Sequence, residues 1–259
     1  MIVNADDLGV TAGVNHGILL GFSRGILSSA SLMVNQDGTD AAIEYLRSGL
    51  IPRAGVHLCI SAGRPVVDPG SVRSLVDEEG FFHRPSYLMH NPPELGDVIR
   101  EFEAQIDKVL QRGVSVTHLD THHHIHRLPV VLEALIHVAH RYNLPVRHLE
   151  PQMRDYVRAQ GVATPDWFCG EWIGPAVSLH ALFQAVKGAK QAGHRIVELM
   201  THPGLADAAL AGKSAYVTER QRELALLCAP ETRDWLKANG IELCDYACVL
   251  EARSPAPCI

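Results

Sequence analysis

The stretch ELGDVIREFEAQIDKVLQRGVSVTHLDTHHHIH, residues 94–126, decides the fold class. From Glu94 to Arg112 apolar side chains recur at helical spacing, and Gly113 stands just past the run. That pattern predicts an amphipathic helix with its stop signal. Val114 to Leu119 follows as a β-strand, and the chain leaves it through a run of ionisable residues. The same unit repeats in both directions. Towards the N-terminus, Met1–Asn4, Ser29–Val34 and Gly55–Ile60 read as strands. Between them Thr11–Ser23 and Thr39–Ser48 read as helices, the first with Thr11 as N-cap and Val14, Ile18, Leu19 and Phe22 on one face. Towards the C-terminus, Pro129–Tyr142, Ser178–Ala192, Glu219–Cys228 and Glu231–Asn239 read as helices, and Leu144–His148, Arg195–Met200 and Ile241–Leu243 as strands. Two stretches, Ser61–Pro93 and Glu150–Ala176, read as irregular, and long loops in compact domains are usually functional. Short apolar runs alternating with helices define a mostly parallel α/β fold. About seven such units predict one TIM-like β/α barrel domain, with an open doubly wound sheet as the alternative. In either case catalytic groups belong at the C-terminal ends of the strands.

Composition sets the outer limits. A chain of 259 residues buries roughly 70–75% of its unfolded surface without staples. With 47% hydrophobic and 20% charged residues it is an ordinary globular chain, and no 20–50-residue repeat interrupts it. A net charge of −6 suits neither nucleic acid nor an anionic membrane surface, which both need concentrated positive charge. There are 15 histidines, and protonating about half of them would cancel that charge near pH ~6.5. No apolar run approaches the ~18–20 residues of a membrane span. MIVNADDLGV resembles a first strand and not a signal peptide, so a cytoplasmic protein is expected. Its six cysteines, Cys59, Cys169, Cys228, Cys244, Cys248 and Cys258, contain no CxxC pair and are read as reduced thiols. The spacing of Cys244, Cys248 and Cys258 argues against a metal site there.

The strand ends carry the chemistry. Asn4-Ala5-Asp6-Asp7, His57, the segment His118–His126, and Glu198 through His202 place ionisable groups at four of them. If residues 118–126 were extended, His118, Asp120, His122, His124 and His126 would share one face. Five such groups cannot be buried without partners, and a divalent cation satisfies several together. The alternative is a solvated histidine-rich loop. Asp6 and Asp7 can divide the work, one binding the ion and one free as general base, or they can form an Asx turn before the first helix. His57, alone in an apolar strand, is either a core residue or the ligand that makes three with an aspartate and one clustered histidine. His202 reads as a general acid or a turn residue, and Glu198 as its orienting partner or a strand cap. Trp167, Phe168 and Trp172 read as sugar-stacking aromatics or loop anchors.

Four segments, Asn4-Ala5-Asp6-Asp7-Leu8-Gly9, Gly55-Val56-His57-Leu58, Thr117 to His126 and Thr201-His202-Pro203-Gly204, resemble in sequence and order the motifs of the YdjC (ChbG-like) carbohydrate deacetylases. The resemblance covers residues 1–251 as one domain of deacetylase type and leaves 252–259 as a tail. It implies a divalent metal, Mg or Zn, held by Asp7, His57 and His122. It implies Asp6 as catalytic base and His202 as candidate acid. The implied reaction removes an acetyl group from an N-acetylated sugar of the chitooligosaccharide type. Leu8 stands where the family usually has Phe. A homodimer is left open. Two other readings compete: a different metal-dependent hydrolase, amidohydrolase or phosphoesterase, on the same kind of barrel, and a non-catalytic sugar-binding or metal-storage protein. Acetate release separates the first, and turnover the second. Histidine with carboxylate suits zinc, and mixed ligation with water also admits magnesium, manganese or cobalt.

Overall fold

Six strands, β1 (Ile2–Leu8), β2 (Ser29–Leu32), β3 (Ala54–Leu58), β4 (Val116–Thr121), β5 (Trp167–Cys169) and β6 (Val197–Thr201), form one parallel sheet in the order β4-β3-β2-β1-β6-β5. The computed structural model describes residues 1–252, so Cys258 and nearly all of the expected tail lie outside the described residues. β1, β2, β3 and β6 are buried along their whole length, as parallel strands covered on both faces are. Their register aligns the polar ends. Ala5 lies beside Ala30 and Thr201, and His57 lies beside Asp120.

The crossover helices have local causes. Ala12–Arg24 starts where the Thr11 hydroxyl accepts a hydrogen bond from the Val14 amide, and Leu179–Gln191 starts at Ser178 in the same way. Pro129–Tyr142, with proline at its first turn, has the expected bounds. Asn143 ends it in the left-handed conformation, φ 53°. Leu95–Gln111 buries Val98, Phe102, Ile106 and Val109 on one face. No helix of the described residues is long and apolar enough to cross a membrane.

Three expectations need correction. Among the described residues there is no closed barrel of about seven strands; the sheet is open, with six. The expected strand Leu144–His148 shrinks to a single bridge between Leu119 and Val146. Leu119 donates to the Pro145 carbonyl, Arg147 donates to Leu119, and Val146 donates to Ala163. Pro145 has no N–H to extend the ladder, and Arg147 is drawn inward by three carboxylates. Ile241–Leu243 adds no strand; the chain there is tied to the start of β1 by the Cys244 amide on the Met1 carbonyl, 2.9 Å. Conversely, the stretch Glu150–Ala176 holds the helix Pro151–Ala159 and β5. β5 has only three residues, too few to show a period.

Gly55 explains how β3 and β4 fit together. A Cβ there would lie 2.5 Å from the ring and the carbonyl of His118. Gly55→Ala is therefore expected to destabilise the fold by about 1–3 kcal/mol through overpacking. Urea denaturation measures it; an unchanged midpoint would mean the contact is slack.

Candidate active site

Chain conformation at the strand ends is unusual. Four non-glycine residues among those described have positive φ, and three of them, Asp7 (67°), His123 (57°) and His124 (51°), border one cavity. Such conformations cost of order 1–3 kcal/mol each and cluster at functional sites. β4 stops at Thr121, and a 3₁₀ segment, His122–Arg127, follows. The extended face expected for residues 118–126 therefore holds only as far as Asp120. His118 and Asp120 both reach the Ser31 hydroxyl, at 3.0 and 2.9 Å. The turn brings His122 into the cavity and sends His126 into the core against Thr121. His123 bonds Ser61, and His124 meets Phe168 edge-on.

Asp7, His57 and His122 converge. Asp7 Oδ1 lies 3.1 Å from His122 Nδ1 and 3.6 Å from His57 Nε2, and the two ring nitrogens are 3.3 Å apart. Asp7 Oδ1 is buried and has no hydrogen-bond partner, and an ion between it and the two rings would satisfy it. His57 Nδ1 lies 2.9 Å from Asp120 Oδ1, an orienting contact that leaves Nε2 to face the cavity. Arg220 Nη2 holds the other Asp7 oxygen at 2.6 Å. Burial opposes ionisation of Asp7, but Arg220 and His122 hold its carboxyl well below the usual range. A second convergent set, Asp6, His57 and Asp120, is also present. The oxygens of Asp6 and Asp120 are already taken by protein donors, so the Asp7 set is the one that fits a metal.

Arg147 organises those oxygens, and it is not among the residues the sequence reading singled out. Its Nη1 reaches Asp6 Oδ2 at 2.7 Å and Asp120 Oδ2 at 2.9 Å. Nη2 reaches Asp6 Oδ1 and Glu198 Oε1, both at 2.7 Å, and Nε reaches Glu198 Oε1 at 2.9 Å. Each N–H of the guanidinium thus has a carboxylate. Glu198 takes its remaining bond from the Tyr246 hydroxyl, 2.5 Å. Four buried carboxylates, Asp6, Asp7, Asp120 and Glu198, face two buried guanidiniums, Arg147 and Arg220. The His57 ring, which Asp120 and Asp6 raise to about 9 against burial, offsets part of the excess negative charge, and a divalent cation would balance the rest.

His202 sits beside this network, with Nε2 4.0 Å from Asp6 Oδ2. Burial pushes its ring down to about 4. Glu198 does not orient it. Glu223, on the helix Thr218–Leu227, instead accepts from the His202 amide and from the Tyr216 hydroxyl, both at 2.5 Å. Trp172 is buried and donates to the Ser178 carbonyl, so it is a loop anchor. Trp167 and Phe168 line a neighbouring cavity.

The fold and this site define an α/β protein whose carboxylate–histidine cluster occupies the C-terminal ends of parallel strands. The family model described as YdjC-like protein matches residues 1–238, and the chain belongs to that family. It is 33% identical over 247 residues to the carbohydrate deacetylase of Thermoanaerobacter pseudethanolicus, covering 95% of this chain and 98% of that one. It is 32% identical over 252 residues to the carbohydrate deacetylase of Brevibacillus brevis, with coverage of 95% and 98%. A crystal structure from Enterococcus faecalis, described as that of a proposed cellobiose-phosphate cleavage protein, superposes with a TM-score of 0.91 at 29% identity, covering 95% and 97% of the two chains. The lactam utilization protein of Thermus thermophilus shares the fold at a TM-score of 0.55 and 13% identity.

Burial keeps six histidines neutral. His118, His124 and His148 are pushed down to about 3, His123 and His202 to about 4, and His126 well below its usual value. A lowered histidine gives stability that is complete above the unfolded value of ~6.5 and is lost as pH falls. Glu101, Glu198 and Glu223, raised by burial, and His57, raised to about 9 by Asp120 and Asp6 against burial, act in the opposite sense but are fewer. Unfolding free energy measured in chelator should therefore fall between pH 6.5 and 5, each histidine contributing up to about 1.4 kcal/mol per pH unit. A flat profile would show that these rings are protonated in the native state.

Proposed function

We propose that this chain is a metal-dependent carbohydrate deacetylase that hydrolyses the N-acetyl group of an acetylated amino sugar of the chitooligosaccharide type and releases acetate. The observation that carries the metal is the buried, unpartnered Asp7 Oδ1 between His57 and His122. The names of the relatives support the reaction. A divalent ion held by Asp7, His57 and His122 would supply Lewis-acid polarisation of the acetyl carbonyl and acidify water.

The protein groups around it have separable tasks. Asp6 is the base. Arg147 and the Asn4 amide fix its carboxylate, at 2.7 and 2.8 Å, and although burial opposes ionisation Arg147 keeps it charged. Its Oδ2 takes the proton of the attacking water. His202 Nε2, neutral at pH 7, can accept that proton from Asp6 Oδ2, 4.0 Å away, and deliver it to the leaving amine. One group that collects a proton and one that passes it on satisfy acid–base catalysis of an amide.

The surroundings favour a substrate longer than one ring. The cavity of about 540 Å³ over the site adjoins one of about 800 Å³, with His124, Ile173 and Met200 common to both. Trp167, stacked on His194, and Phe168 offer flat apolar surface in the larger cavity.

Acetate release from N,N′-diacetylchitobiose by zinc- or magnesium-loaded protein is the direct test. Wild type should release acetate. Asp6→Asn should keep its metal and lose at least about 100-fold in turnover. His122→Ala should lose metal as well. Full metal occupancy in His122→Ala would refute the ligand set, and phosphate release from phosphoesters without acetate release would refute deacetylation.

A further inference from the structure

At the opposite end of the sheet from the cavity, Cys244 and Cys248 bring their sulfurs to 2.9 Å. Cys244 is pinned: its amide donates to the Met1 carbonyl at 2.9 Å and its carbonyl accepts from the Ser28 hydroxyl at 2.7 Å. Cys248 rides on the short helix Ala247–Glu251. Both are part-exposed and line an open depression of about 660 Å³ beside the start of β6. The hydrogen bond from the Cys248 thiol brings Cys244 down to about 6, against the effect of burial, and Cys248 is pushed up in exchange. Cys59 and Cys169, by contrast, are buried and pushed up to about 12 and about 11, where a thiol is inert. The segment between the two sulfurs contains Tyr246, whose ring stacks on His118 at 3.7 Å and whose hydroxyl bonds Glu198.

We propose that Cys244 and Cys248 are a reversible dithiol site that closes to a disulfide by exchange with a low-molecular-weight disulfide such as oxidised glutathione. The Cys244 thiolate attacks one sulfur of the reagent, whose S–S bond breaks and releases one thiol. Cys248 then loses its proton and attacks the Cys244 sulfur of the mixed disulfide, releasing the second thiol. The protein is oxidised by two electrons and the reagent is reduced to two thiols. The bond closes a five-residue loop around Tyr246 and fastens the segment that holds Glu198.

The test treats folded, full-length protein with oxidised glutathione at pH 7, alkylates free thiols, and maps the peptides by mass spectrometry. The expected product is one peptide bridged between Cys244 and Cys248, lighter by two hydrogens and restored by a dithiol reductant, with Cys59 and Cys169 unmodified. Cys248→Ser should stop at a glutathione adduct on Cys244. Without oxidant, Cys244 should alkylate at least about tenfold faster than Cys248. Alkylation of both residues after oxidation, a persistent glutathione adduct on wild-type Cys244, or a bridge from either to Cys258 would overturn the proposal.

Discussion

One buried guanidinium holds the site together. Arg147 is fully buried, and its five N–H groups are divided among Asp6, Asp120 and Glu198, which are buried as well. Desolvating four charges together is tolerated only because every donor has an acceptor in good geometry. The three acids come from β1, β4 and β6, so the same contacts tie three strands of the sheet together. Tyr246, from the C-terminal segment, closes the far side of Glu198.

The adjacent aspartates owe their different surroundings to this lock and to one backbone turn. Asp6 keeps a negative φ and is held by Arg147 and Asn4. Asp7 turns to positive φ and points its carboxylate at Arg220 and the two histidines. A chain in ordinary extended conformation would send neighbouring side chains to opposite faces of the sheet. The strained residue lets both reach one cavity, with one oxygen left unsatisfied.

Much of this was legible in the sequence. Asp6, Asp7, His57, His122 and His202 stand at strand ends, and the strands themselves are short apolar runs between clear helices. The helix Pro129–Tyr142 announces itself by its proline and its period. Arg147 was hidden because its acids are far off in sequence, 141 residues away for Asp6 and 51 for Glu198. The available signal was a lone arginine in an apolar run, Leu-Pro-Val-Arg, which cannot stay charged in a core without partners. Glu198, open between a partner of His202 and a strand cap in the sequence, bonds Arg147 and Tyr246 instead, and Glu223 on the buried face of Thr218–Leu227 accepts from the His202 amide. The histidine cluster misled through its assumed extension. Two positive-φ residues fold it, and one ring of the cluster reaches the Asp7 set while the rest pack elsewhere. The strand expected at Leu144–His148 is reduced to one bridge beside β4, where Pro145 lacks an N–H and Arg147 turns to the acids.

Arg147 supports both the fold and the charge of the site. Urea denaturation of Arg147→Met, which keeps length and removes charge, tests it most directly. Leaving three buried carboxylates without their cation should cost about 3–5 kcal/mol. Stability within about 0.5 kcal/mol of wild type, the range of an ordinary surface change, would contradict it.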